Sequence, residues 1–202
     1  CIVTEYMPKG SLYDVLHNDE IVLDWQLIKN MALDAATGMD FLHSAQPPIL
    51  HRDFKSLNLL VDKKWNLKVG DFGLTSLKDN KNNYKMGSVL WTAPEVLLKK
   101  EYTVKADVYS YGIVLWELLT RRDPYEGVNQ MHVALGVLKG LRPTIPETFS
   151  PQMISLITDC WHADPDCRPS FSKIRERLDA IDSPLICDST TPAQSFSVTV
   201  ND

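Results

Sequence analysis

Ile28, Met31, Ala35, Met39 and Leu42 recur on one stripe of a 3.6-residue period with polar residues between them, and Asp24 stands where an N-cap belongs. This pattern predicts an amphipathic helix over 25–43 whose stripe is core packing, ended by Pro47 and Pro48, which pass the chain on as an extended Ile49-Leu50. Residues 103–120, TVKADVYSYGIVLWELLT, are different in kind: apolar nearly all round after the first turn, as in a helix buried on every side. Asp107, inside that stretch, must then find a charged or hydrogen-bonding partner. Shorter helices are expected from Ser11, where SLYDVLH carries Asp14 at the capping-box offset, from Pro94-Glu95, and near 129–140, 152–161 and 170–181.

Extended structure is sparse. Residues 1–7 are β-branched and alternating enough to read as a strand running into the turn Pro8-Lys9-Gly10. Residues 59–61 and 67–69 read as the two arms of a hairpin around the polar turn 62–66. Between Gly73 and Glu95 there is little periodicity and a polar run at 78–84, so a long loop is expected, of the functional or mobile kind. Arg121-Arg122 sit in a polar turn and read as solvated. From Ser183 onward the chain is rich in Ser, Thr and Pro and reads as a linker or tail. The fold class is therefore mainly α with short β-hairpins.

Composition narrows the function more than the fold. The 202 residues suffice for one domain with a real core, and a net charge of -5 gives no basic footprint, so nucleic acid is a poor partner. Four cysteines, Cys1, Cys160, Cys167 and Cys187, form no C-x-x-C pair and read as free buried thiols of a reducing compartment. No apolar run approaches the ~20 residues that a membrane-crossing helix needs. There is no initiator Met and residue 1 falls inside the expected strand, so the chain reads as a fragment or an incomplete gene product.

The chemistry is concentrated in residues 51–73, HRDFKSLNLLVDKKWNLKVGDFG, which hold H-R-D-x-x-x-x-N followed by D-F-G; Ala93-Pro94-Glu95 follows in order. One such triplet occurs by chance; the three together do not. On these motifs the chain resembles the larger, C-terminal lobe of a eukaryotic protein kinase over roughly 1–182, with 183–202 as tail. No G-x-G-x-x-G loop and no V-A-I-K lysine occur in the sequence. The resemblance implies ATP and Mg²⁺ as cofactors. Asp53 would orient the substrate hydroxyl, Lys55 would face the transferring phosphate, and Asn58 and Asp71 would offer oxygens to the metal. Backbone groups of Glu5 and Met7 would meet adenine, with Thr4 as gatekeeper, Leu60 as the floor beneath it and Ser11 near the ribose, although capping is the simpler role for Ser11. It also implies that His51 and Phe72 pack and do no chemistry, that Asp107 binds catalytic-loop N–H groups, and that Glu95 and Arg168 form a buried ion pair.

The loop at 73–95 matches an activation loop, where Thr75, Ser76, Tyr84 and Ser88 offer hydroxyls to an upstream kinase and a phosphate could pair with Arg52. Lys55, Ser88 after Gly87, the W-T-A-P-E segment and the hinge T-E-Y-M resemble the tyrosine-kinase-like branch of Ser/Thr kinases. The implied partners are ATP and a protein carrying Ser or Thr, and the implied location is cytoplasmic or the cytosolic part of a larger protein. Two functions follow: the catalytic lobe of an ATP-dependent Ser/Thr protein kinase, or a truncated, catalytically silent lobe that binds or scaffolds. The missing glycine loop and lysine favour the second. The complete set Asp53, Lys55, Asn58 and Asp71 favours the first.

Overall fold

The computed structural model describes residues 3–71 and 88–185. Seven α-helices and one hairpin are found among the described residues: α1 (Leu12–Leu16), α2 (Trp25–His43), β1 (Leu59–Val61), β2 (Leu67–Val69), α3 (Pro94–Leu97), α4 (Val104–Thr120), α5 (Gln130–Leu138), α6 (Pro151–Cys160) and α7 (Phe171–Asp179). Side-chain caps set the start of most helices. Ser11 and Asp14 close a full capping box on α1, Asp24 caps α2 through Leu27 N–H, and Thr103, Asn129, Ser150 and Ser170 cap α4 to α7.

Helix α4 is the axis of the molecule: every residue from Ala106 to Thr120 is buried. Around it lie α2, which buries the stripe expected from its sequence, and α6. Tyr111 of α4 donates its hydroxyl to Ala32 O on α2 at 3.0 Å and meets the Phe171 ring of α7 edge-on, with centroids 5.3 Å apart. Gly112 is what lets α6 come close, since a Cβ there would lie 2.9 Å from the Cβ of Cys160. Mid-helix glycine costs about 1 kcal/mol relative to alanine, which the helix contact offsets.

The hairpin pairs Leu59 with Val69, Leu60 with Lys68 and Val61 with Leu67, antiparallel, and packs on α2. Its free edge holds the entering chain: Lys9 N–H donates to Val61 O at 3.2 Å, Val61 N–H to Gly10 O at 2.9 Å, and Ser11 bridges Leu60.

Three sequence expectations are corrected. Residues 3–7 form no strand: a strand is a pairing, and the chain meets the hairpin edge only from Lys9 to Ser11. Cys160 is buried as expected, and burial pushes its thiol up to about 12, but Cys167 is exposed on the turn before α7. Arg121 is not solvated. It closes α4 at φ 55, and its guanidinium runs back beneath α1 to donate to Leu16 O, Asn18 O and Ile21 O at 2.9, 2.7 and 2.8 Å.

Each of those carbonyls would lose a charged donor in Arg121→Ala. We expect that substitution to lower the unfolding free energy by about 3 kcal/mol. A urea midpoint within experimental error of the parent would show that the loop needs no such anchor.

Candidate active site

Two short turns and the end of the hairpin build the polar cluster. The first turn, Ser56–Asn58, is a single 3₁₀ turn following Lys55. Asp53 lies just before it with its side chain buried, and its two carboxylate oxygens have separate partners. Oδ1 accepts the Ser88 hydroxyl at 2.6 Å; Oδ2 accepts Lys55 Nζ at 3.0 Å and Asn58 Nδ2 at 3.0 Å. Lys55 Nζ also donates to Ser88 Oγ at 2.8 Å, closing a triangle of carboxylate, ammonium and hydroxyl. A hydroxyl held between an acceptor and a cation is held as a nucleophile would be, with its proton aimed at the carboxylate.

Asn58 commits its amide nitrogen to Asp53 O at 2.7 Å as well as to Oδ2, so Oδ1 is the side-chain atom of the type a cation would take. Asp71 is brought beside it through the backbone: Gly70 N–H donates to Asn58 O at 2.9 Å, and His51 Nε2 lies 3.0 Å from Gly70 O. A Cβ on Gly70 would sit 3.3 Å from both Asn58 O and Leu60 Cδ1, so glycine permits this approach. Asp71 itself is exposed and takes φ 54, a left-handed conformation that aspartate tolerates better than most residues. Mg²⁺ prefers hard oxygens, keeps several waters and takes one or two protein groups plus phosphates, so an amide oxygen and an exposed carboxylate are a fitting donor pair.

His51 lies with Nε2 3.0 Å from Gly70 O and Nδ1 3.3 Å from Asp53 N, so backbone groups meet both ring nitrogens. Behind the loop stands Asp107 of α4, wholly buried. Oδ2 accepts His51 N–H at 3.0 Å and lies 2.8 Å from His43 Nε2, while Oδ1 accepts Arg52 N–H at 3.1 Å and Tyr102 O–H at 2.6 Å. Arg52 is thereby held at φ 67 with its side chain exposed. Burial and the Asp107 charge together push the Tyr102 phenol far up. Glu95 of α3 and Arg168 form a two-pronged buried pair at 2.7 and 2.8 Å.

The remaining expected site residues lie along the hairpin edge and the entering chain. Leu60 is half-buried between Ser11 and Gly70. The Ser11 hydroxyl is committed to Asp14 Oδ2 at 2.6 Å, and that bond holds the Asp14 carboxyl below its usual range. Met7 O accepts Gly10 N–H at 3.1 Å, while Glu5 is exposed and its carboxylate meets Lys68 at 2.6 Å. Among the described residues, no hydrogen bond takes the backbone groups of Glu5 or the N–H of Met7. Phe72, Thr75, Ser76 and Tyr84 lie outside the described residues.

Two features escaped the sequence reading. Nothing local in the sequence shows the Ser88 hydroxyl reaching Asp53, thirty-five residues away. Glu117, a lone carboxylate deep in α4, is bound by Ser56 and Trp91. The signal for it was the same one that drew attention to Asp107: a charge inside a helix with no polar face.

The chain matches the family described as protein tyrosine and serine/threonine kinase over residues 1–178. It is 48% identical over 185 residues to a probable serine/threonine-protein kinase, drkA, of Dictyostelium discoideum, covering 91% of this chain and 29% of that protein. It is 44% identical over 200 residues to a further one from the same organism, roco6, covering 89% of this chain and 9% of the relative. To a probable serine/threonine-protein kinase of Arabidopsis thaliana, SIS8, it is 45% identical over 188 residues, covering 91% and 18%. The chain thus spans less than a third of the length of these curated relatives.

Proposed function

This chain belongs to the protein tyrosine and serine/threonine kinase family, and from that premise we propose that the protein containing it transfers the terminal phosphoryl group of ATP to serine and threonine hydroxyls of other proteins. The observation that carries this reading is the triangle at Asp53, where a serine hydroxyl donates to Oδ1 at 2.6 Å with the Lys55 ammonium 2.8 Å from the same hydroxyl oxygen. The printed names of the relatives, serine/threonine-protein kinases, support the choice of acceptor.

ATP with Mg²⁺ supplies the electrophilic phosphorus and neutralises its charge. The protein's share is to place and polarise. Asp53 accepts the hydrogen bond of the incoming hydroxyl and orients its lone pair. Lys55, already beside that position, faces the anionic oxygens that develop during transfer. Asn58 is held by Asp53, so the residue that orients the nucleophile also orients a metal-facing amide. Asn58 and Asp71 would hold Mg²⁺, and the edge formed by Glu5, Met7, Ser11 and Leu60 would receive the nucleoside. The kinase lobe is read as 1–182 with a tail at 183–202, its first residues tied down by Ser150 N–H to Pro184 O at 2.7 Å and by the Phe149–Leu185 bridge. Among the described residues no helix is long and apolar enough to cross a membrane. We place the domain in the cytoplasm or on the cytosolic side of a larger protein, where ATP and protein substrates are at hand. If an upstream kinase acts on the activation segment, Thr75, Ser76 and Tyr84 are better acceptors than Ser88, whose hydroxyl is already taken and whose phosphate would face the Asp53 carboxylate.

The test is phosphoamino-acid analysis of a general protein substrate after incubation with the full-length protein, ATP and Mg²⁺. Phosphoserine and phosphothreonine are expected; phosphotyrosine alone, or no transfer, overturns the reading. Asp71→Asn in the same assay is expected to raise the Mg²⁺ concentration for half-maximal rate by on the order of tenfold, since one of two anionic or polar oxygens loses its charge. An unchanged Mg²⁺ dependence would remove Asp71 from the metal site.

A further inference from the structure

Glu117 is buried completely in α4, and its two oxygens hold two different pieces of chain. Ser56 Oγ donates to Oε1 at 2.8 Å and Trp91 Nε1 donates to Oε2 at 2.7 Å. Ser56 opens the turn between Lys55 and Asn58; Trp91 closes the turn Val89–Trp91 that starts at Ser88. Trp91 is gripped a second time by α4, its carbonyl accepting Ser110 Oγ at 2.8 Å. We propose that Glu117 is a positioning residue for phosphate transfer, a single carboxyl that registers the turn carrying Lys55 and Asn58 against the turn presenting Ser88.

The Asp53 triangle draws its members from both turns, so its closure depends on how the two are spaced. Nothing else among the hydrogen bonds of the described residues joins them from the helix side through one group. The carboxyl makes no ion pair with a lysine or arginine among the described residues. The charged and titratable groups near it are Asp123, beyond the end of α4, and the Tyr13 phenol of α1, and neither compensates a negative charge. Burial above all pushes Glu117 up from 4.5 to about 8, with Asp123 adding to it and the two hydrogen bonds opposing. An indole N–H can only donate, so a proton held here sits on the oxygen facing Ser56, whose hydroxyl can accept.

The sign of the pH effect follows. The folded value lies above the unfolded one, so the stability lent by the neutral carboxyl is whole below pH 4.5 and is lost as pH rises through about 8. Glu117→Gln copies the neutral acid: its oxygen accepts from Trp91 and its amide nitrogen donates to Ser56.

The inference rests on the kinase reading for its kinetic consequence, and the test separates the two. In the full-length protein with ATP, Mg²⁺ and a general protein substrate, Glu117→Leu is expected to lower kcat by about tenfold or more, each unsatisfied buried donor being costly, with little change in KM for ATP. Glu117→Gln should restore most of kcat and abolish the fall in activity of the parent above pH 8. A Leu variant that folds and keeps kcat within twofold, or a Gln variant no better than Leu, overturns the proposal. Should Glu117→Leu fail to fold, Ser56→Ala and Trp91→Phe each cut one tie; both leaving kcat unchanged also overturns it. Should the parent protein transfer no phosphate, the kinase reading falls, and the tie is read by amide hydrogen exchange in Glu117→Gln and Ser56→Ala. Faster exchange over 52–58 and 88–92 in Ser56→Ala, but not in Glu117→Gln, supports it; equal exchange in both refutes it.

Discussion

Asp53→Asn in the full-length protein is expected to lower kcat for phosphate transfer by about 10²- to 10⁴-fold, the range over which a positioned proton acceptor contributes. The substitution is nearly isosteric, and the fold tolerates it for a specific reason. With its amide oxygen at the Oδ2 position, asparagine still accepts from Lys55 and Asn58; its nitrogen then faces Ser88 Oγ, which can accept in place of donating. What disappears is an acceptor for an incoming hydroxyl, along with the charge that balances Lys55. Single-turnover kinetics beside a thermal melt separate these effects. A variant retaining more than about a tenth of the parent rate would remove Asp53 from the role assigned to it.

Arg168→Ala has the second large effect, and it acts on stability. Arg168 is 1% exposed and its guanidinium makes four kinds of contact: both prongs to Glu95, Nη1 to Lys105 O and Nε to His162 O at 2.8 Å each, and a position 5.2 Å over the Tyr109 ring. Removing it strands a buried carboxylate, which typically costs about 3–5 kcal/mol. For a lobe of this size the melting temperature should fall by on the order of 10 °C. Activity would vanish too, but only as the protein unfolds, and cooling should recover it, unlike in Asp53→Asn. The double variant Arg168→Ala, Glu95→Ala should be less unstable than the sum of the two single variants, because the second removal takes away the stranded charge. Strict additivity would mean that the pair is not coupled.

What the sequence disclosed and what it withheld divide along physical lines. Periodicity and caps are local, and they located α2 and α4 and the turn of the hairpin with little error. The residues around Asp53 were legible as a motif, yet the motif carries only spacing along the chain. That Ser88, thirty-five residues on, donates to Asp53 depends on the return path of a segment with no periodicity. Arg121 was misread because a basic pair in a proline-containing turn has the composition of a solvated loop; its burial comes from a left-handed backbone at the end of α4, which composition does not encode. Residues 3–7 have the composition of a strand, but strand formation requires a neighbour, and the hairpin edge engages the chain only from Lys9 onward.

Helix α6 is connected through a short turn to Arg168, and α6 rests on α4 where Gly112 has no side chain. The missing methyl group acts as a shim of zero thickness: it sets how far α6 stands from the axis, and so how far Arg168 must reach to meet Glu95. A residue with no side chain thereby governs how α3 is held, just past the turn that presents Ser88.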